Sequence, residues 1–337
     1  MAASPSRRRP TMVDVAARAG VSRALVSIVF RDSPGASPAT RARVLAAAAE
    51  LGYRPDNAAR LLARGRSRTI GVLTTVGEPF EADIIETLHA EAAALGYDVL
   101  LGARTAVTGD IAAAESLLAH RCEGLVLLGP SGGDDLVQGL GARAAVAVVG
   151  RDVPGVDSVS SADAEGLRAA VEHLISLGHG RIVHVDGGDG PNAEVRRSGF
   201  RAAMGAAGLE ARVLPGAYHE DAGVAAARQL LAEGLPGPGA PTAVLAANDR
   251  CALGLLDTLR RAGIDVPAQL SVVGYNDDRV SRLSHVDLTT VRQDASSLAR
   301  KAIRAVTARL DAPDGDPVHE VLAPQLVVRG TTGPAPR

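Results

Sequence analysis

The sequence predicts an α/β protein: an all-helical N-terminal segment followed by a two-lobed core of parallel sheets. Three observations predict it. Short amphipathic helix patterns with their own start and stop residues fill positions 11–54. From Thr69 onward, continuous apolar runs alternate with helical patterns, which implies parallel sheets covered on both faces. About 260 residues of that alternation exceed one comfortable domain, so two lobes facing a cleft are expected.

Charge adds a direction to this plan. Residues 1–68 hold 13 arginines, no lysine and four acids, a net of +9, although the whole chain carries only −2. A basic end on an acidic body points to contact with a polyanion through one end only. A disordered basic tail accounts for residues 1–10 but not for the patterned stretch behind them. The 337 residues are 46% hydrophobic, enough for a sizeable core. MAASPSRRRP has charge but no apolar run behind it, so no secretory signal is expected. No apolar run reaches the roughly 18 residues of a membrane helix. The expected address is the cytoplasm. Cys122 and Cys251 lie inside apolar patterns and read as reduced core residues.

The first helix starts at about Met12. Thr11 with Asp14 three residues on is a capping-box pattern, and Gly20 can take the left-handed conformation that stops the helix. Ser22 can cap a second helix, Arg23 to Phe30, with Val21, Val26 and Val29 packing back on the first. A third helix begins at Ser37 with Pro38 in its first turn and ends at Gly52. Helices shorter than about 12 residues are marginal alone, so the glycine turn has a purpose. It aims the second helix, whose N-terminal side chains are free to enter a DNA major groove. An ordinary small helical bundle is the competing reading, and the +9 weighs against it. After Tyr53, RPDNAARLLARGRSR is a short Ala/Leu helix pattern among arginines, too small to fold alone and suited to ordering against phosphates.

In the core, TIGVLTT, YDVLLG, GLVLLG, VAVVG, RIVHVDG, TAVLAAN and LSVVGY read as strands. Helices are expected over Ala82–Leu95, Asp110–His120, Ala164–Leu177, Ala193–Ala207, Ala222–Ala232 and Asp249–Ala262. Ligands in such sheets bind beyond the carboxyl ends of the strands. Glu78–Asp83, Arg151, Arg196, Asn248–Asp249 and Asn276–Asp278 fall there. No P-loop, dinucleotide fingerprint, HExxH or CxxC pair occurs, so no catalytic residue, cofactor or metal is expected. GPSGG and GGDG follow strands but lack the lysine and spacing of phosphate loops, and read as loop punctuation. His173 and His179 have no nucleophile placed beside them and read as helix-terminus residues.

TMVDVAARAGVS, SPATRARVLAAAAELGYRPD, ARLLARGRSRTIGVL, HLISLGHGRI, RRSGFRAAM, AANDRCALG, SVVGYNDD and LTTVRQD together resemble the lactose/galactose repressor (LacI/GalR) family, in order, from Thr11 to about Arg329. The resemblance implies a homodimeric transcriptional regulator, a repressor, with a helix-turn-helix domain and a periplasmic-binding-protein-like core. Its partners would be double-stranded palindromic operator DNA, a second copy, and a small-molecule effector such as a sugar; no membrane is involved. By matching position, Arg23 and Ala24, with Ser22 beside them, would set base preference. Thr11, Ser27 and Thr40 would contact phosphates, and Arg31 and Asn57 complete the DNA-facing set. Leu62 would wedge into the minor groove, with Ala59 near it. Arg196, Asn248, Asp249, Asn276 and Gln293 would hold the effector, with Asp83 and Arg151 at the cleft. Phe80 is the best aromatic platform in a chain with no Trp and three Phe.

Ile28 stands where the family usually has Arg or Lys, and Arg31 where it usually has Asn, so operator contacts differ from better-known members. The expected division is a tail (1–10), the helix-turn-helix (11–54), a hinge helix and linker (55–68), the bilobal core (69–330) and a second tail (331–337). The N-lobe would span about 69–162 and 293–325, the C-lobe about 163–292. A sugar kinase would need a catalytic base and a phosphate loop, and a free solute-binding protein would lack residues 11–68.

Overall fold

A computed structural model describes residues 10–30, 33–53, 66–105 and 107–336. The chain forms two compact units, Met1–Ser67 and Arg68–Arg337.

In the first unit, α1 is Met12–Ala19, α2 Arg23–Phe30 and α3 Pro38–Leu51. The ends of α1 are set locally. Thr11 accepts from the Asp14 amide, Asp14 accepts from the Thr11 amide at 2.7 Å, and Gly20 closes the helix at φ 65°. Ser22 Oγ accepts from Leu25 at the start of α2, and Ser37 accepts from Thr40 at the start of α3. The helices share one small core of Val15, Ala16, Val26, Val29, Val44, Ala47 and Ala48. Arg41 ties α3 to the end of α2 through the carbonyls of Val29 and Ser33.

The second unit holds two six-stranded sheets. The first is ordered β11-β5-β4-β3-β1-β2 and built from β1 (Thr69–Thr75), β2 (Asp98–Arg104), β3 (Gly124–Leu128), β4 (Ala145–Val149), β5 (Asp157–Ser161) and β11 (His319–Leu322). Its helices are α4 (Pro79–Ala94), α5 (Asp110–Ala119), α6 (Asp134–Gly141) and α11 (Ala295–Asp311). The second sheet is ordered β12-β10-β9-β8-β6-β7, from β6 (Ile182–Val185), β7 (Arg212–Leu214), β8 (Ala243–Ala246), β9 (Ser271–Asn276), β10 (Thr289–Arg292) and β12 (Gln325–Val327). It carries α7 (Asp163–Ser176), α8 (Ala193–Ala206), α9 (Glu220–Ala232) and α10 (Asp249–Arg261). All pairings are parallel except β10 with β12. The chain passes between the sheets three times, after β5, after β10 and after β11. Each sheet is packed on both faces by apolar side chains, which is why its central strands read as unbroken apolar runs.

One expectation is corrected. Residues 331–336 are docked, not a tail. Thr331 is 2% exposed, takes the Thr289 amide at 2.9 Å and donates to the Val272 carbonyl at 2.7 Å. His179 is buried and fixes the same segment, with one ring nitrogen 3.0 Å from Thr242 Oγ1 and the other 3.0 Å from the Gly333 carbonyl. His173 reaches Thr332 Oγ1 at 3.0 Å. The histidines of EHLISLGHGRI anchor the C-terminal segment.

Candidate functional site

A cavity of about 260 Å³ opens between the two sheets of the second unit, at the C-terminal ends of their strands. Thr75, Leu128 and Val149 close β1, β3 and β4 on one side; Asn248 and Asn276 follow β8 and end β9 on the other. Crossover connections put polar loops at these ends, which is where open α/β sheets hold ligands. Most of the wall is apolar, with Phe80, Ile84, Pro191 and Leu298 among its members.

Of the residues expected at the cleft, Phe80, Arg196, Asn248, Asn276 and Gln293 line this cavity. Arg196, on α8, is 5% exposed. It stacks 3.8 Å from the Tyr275 ring centroid, donates to the Ala247 carbonyl at 2.9 Å and lies 3.4 Å from Asp163 Oδ1. Burial opposes its charge, but Asp163 and the two tyrosines Tyr218 and Tyr275 outweigh that and hold it above the usual arginine range. Asn248 caps α10 through the Cys251 amide and donates to the Tyr218 carbonyl. Asn276 sits at φ 119°, a conformation side chains rarely adopt, and its Oδ1 accepts from Gln293 at 2.8 Å.

Three expected residues do not line it. Asp249 is wholly buried, accepting from Thr290 Oγ1 at 2.6 Å and from the Asp278 amide at 2.7 Å. Gly274 leaves room for it, since a Cβ there would stand 2.2 Å from Asp249 Oδ1. Asn248 is the extended N-cap of α10 and Asp249 its first helical residue, and the two side chains go to different places, one to the cavity and one to the core. Asp83 pairs outward with Arg279 at 2.8 Å. Arg151 is spent on Asp134 and the carbonyls of Pro130 and Gly132.

Other wall residues were not singled out individually. Glu78 and Glu81 lie inside the Glu78–Asp83 stretch, whereas Arg104, Asn192 and Tyr218 gave no local signal. Tyr218 explains GGDG: a Cβ at Gly187 or Gly190 would stand 2.4 Å or 2.6 Å from its ring. The GPSGG loop does hold an anion, but an internal one. Asp110 accepts from the Ser131 amide, the Ser131 hydroxyl and the Gly132 amide, and pairs with Arg104 at 2.5 Å. In NDD, Asp277 is held by Arg329 at 2.5 Å, Arg292 at 2.6 Å and Arg282 at 3.1 Å. No cluster of three or more metal-ligating side chains occurs among the described residues.

In the first unit, Ser22, Arg23 and Ala24 are exposed at the start of α2. Thr11, Ser27 and Thr40 are half-buried, and the Thr11 hydroxyl is engaged in its capping box. Arg31, Asn57, Ala59 and Leu62 lie outside the described residues.

A helix-turn-helix unit in one chain with a ligand-sized cavity between two parallel sheets defines a ligand-responsive DNA-binding regulator. Comparison with known proteins agrees. Residues 11–56 match the bacterial regulatory proteins, lacI family, and residues 171–332 match a periplasmic binding protein-like domain. The transcriptional regulator CelR of Thermobifida fusca is 35% identical over 96% of this chain and 98% of its own. The lac repressor dimer bound to operator and the anti-inducer ONPF superposes with a TM-score of 0.82 at 30% identity, covering 97% of this chain and all of that one. A CelR–cellobiose complex gives 0.70 at 32% identity, over 96% of this chain and all of that one. The chain belongs to the LacI family of transcriptional regulators. No helix among the described residues is long and apolar enough to cross a membrane.

Proposed function

We propose that the chain is a repressor that binds a palindromic operator as a homodimer, and that a sugar or related metabolite in the cavity changes that affinity. The observation carrying this reading is the exposed start of α2, Ser22–Arg23–Ala24, in a chain that also builds the strand-end cavity. Arg23 and Ala24 read base edges, Thr11, Ser27 and Thr40 position the duplex on its phosphates, and Arg31 and Asn57 complete the DNA-facing set. Residues 55–68 form the hinge, with Leu62 beside Ala59 entering the minor groove. Phe80, Arg196, Asn248, Asn276 and Gln293 hold the effector. The cavity binds without turnover, and the protein works in the cytoplasm, on the nucleoid. The complexes of relatives with operator, ONPF and cellobiose support both halves of the proposal.

A bidentate arginine–guanine contact discriminates by about 1–3 kcal/mol. Selection from a randomised duplex pool should therefore return a palindromic motif for the native chain, and Arg23→Ala should flatten one base pair in each half-site. An unchanged motif removes Arg23 from base reading. No motif at all from the native chain removes the operator assignment.

A further inference from the structure

We infer that the cavity is a charge filter: it takes an uncharged hydroxylated effector and rejects the phosphorylated form, with Glu81 as the discriminating residue. This rests on reading the cavity as the effector site.

Each cation in the wall is already matched. Arg104 pairs with Asp110 at 2.5 Å and stands 3.7 Å from Glu81 Oε1, and its other donors go to Thr75 and the Leu128 carbonyl. The charge of Arg196 is matched by Asp163 at 3.4 Å, although its buried Nε has no hydrogen-bond partner among the described residues. Arg250 bridges Glu78 at 2.7 Å and Glu220 at 2.6 Å. Two arginines and two glutamates thus line the wall, and Asp110, Asp163, Arg250 and Glu220 pair with them from behind it. Three helix N-termini also reach the wall, those of α4, α8 and α10, and such ends attract anions. Each already carries an acid in its first turn, Glu81, Glu194 and Asp249 respectively.

Glu81 is the wall group that a ligand meets. Its Oε2 accepts from the Thr74 hydroxyl at 2.7 Å and the Thr75 amide at 2.6 Å, which pins the side chain. Among the described residues no donor hydrogen-bonds Oε1. Burial raises its pKa despite those donors and Arg104, and a carboxyl supplies no positive charge whether ionised or neutral. The ionised Oε1 can accept from a ligand hydroxyl, whereas a phosphate there meets an acceptor and a like charge. The regulator therefore reports a free sugar, ahead of any phosphoryl-transfer step that consumes it.

The test uses the full chain on its selected operator duplex, with operator affinity and melting temperature read together. The probes are glucose, galactose, ribose and cellobiose, each beside its phosphate ester. At least one neutral probe should move both readouts, with its ester at least about tenfold weaker. Glu81→Gln should weaken the neutral probe and narrow that gap. An ester binding as tightly as its parent overturns the filter and leaves the cavity a ligand site. No response to any probe, neutral or esterified, removes the reading of the cavity as a sugar site. The native-chain comparison decides the matter even where Glu81→Gln fails to fold.

Discussion

Arg196 keeps its charge inside a closed wall because a carboxylate, a carbonyl and an aromatic face share it. Removing one partner of a buried pair costs about 3–5 kcal/mol, mostly from the charge left behind. Arg196→Ala strands Asp163, so urea unfolding followed by circular dichroism should show the second unit destabilised by about that amount. An unchanged midpoint would mean that water already solvates Asp163. Loss of effector response in this variant must therefore be read beside its folded fraction. Asp278 tests the opposite case. Both its carboxylate oxygens are buried with no hydrogen-bond partner among the described residues, and burial and then Asp249 push its pKa from 3.8 to about 8. The folded chain then binds a proton that the unfolded chain releases, so its contribution to stability falls as pH rises between those two values and levels off above the higher. Asp249, raised to about 7, acts in the same direction. Burial lowers the pKa of His173, His179 and His184 from 6.5, which opposes this below that value. The melting temperature should therefore decline from about pH 6.5 to about pH 8.5, and Asp278→Asn should raise it most at the alkaline end and flatten the decline. Parallel curves for the two proteins would dismiss this titration.

At the scale of elements, α9 and α10 cross on two glycines. A Cβ at Gly223 would stand 1.9 Å from the Cys251 carbonyl oxygen, and one at Gly254 1.9 Å from that of Glu220. In a helix interior alanine is favoured over glycine by about 1 kcal/mol. Overpacking against backbone, which cannot rotate away, costs about 1–3 kcal/mol or more, so it wins. Gly254→Ala should lower the urea midpoint, and a variant as stable as the parent would mean that the helices can separate freely. That crossing was invisible in the sequence, although both helices were legible. The difference is one of range. Helix ends were readable because caps act within about four residues, as Thr11 with Asp14 and Ser37 with Thr40 do. Central strands were readable because burial on two faces leaves an apolar run. By contrast β5, DSVSS, is polar and still buried, because Arg309, 152 positions away, neutralises Asp157. The cavity divides similarly. Arg196 and Asn248 stood in motifs, whereas Arg104 and Tyr218 reach the wall only through tertiary packing. Asp249 belongs to the same ND motif but is wholly buried, held by Thr290 and the Asp278 amide.

At the scale of the molecule, charge is partitioned between the two halves of the function. Residues 1–68 carry +9 and the remainder −11, so the acidic body repels the polyanion that the basic end attracts. Orientation on DNA follows from that partition without any specific contact. The two binding events should then obey different salt laws. Operator binding releases condensed counterions, and contact with about 6–10 phosphates loses about 10³–10⁵ in affinity between roughly 50 and 200 mM salt. An uncharged ligand in a wall of matched ion pairs releases none, and pairs at contact distance in a half-buried cavity are little screened. Fluorescence anisotropy on the operator should fall steeply over that range, while the dissociation constant of the neutral probe, read by calorimetry on the same full chain, should change less than about twofold. A flat operator curve would detach the arginines of the first unit from the phosphates. A ligand affinity that fell in step with the operator would place a charged effector, or an unmatched cation, in the cavity.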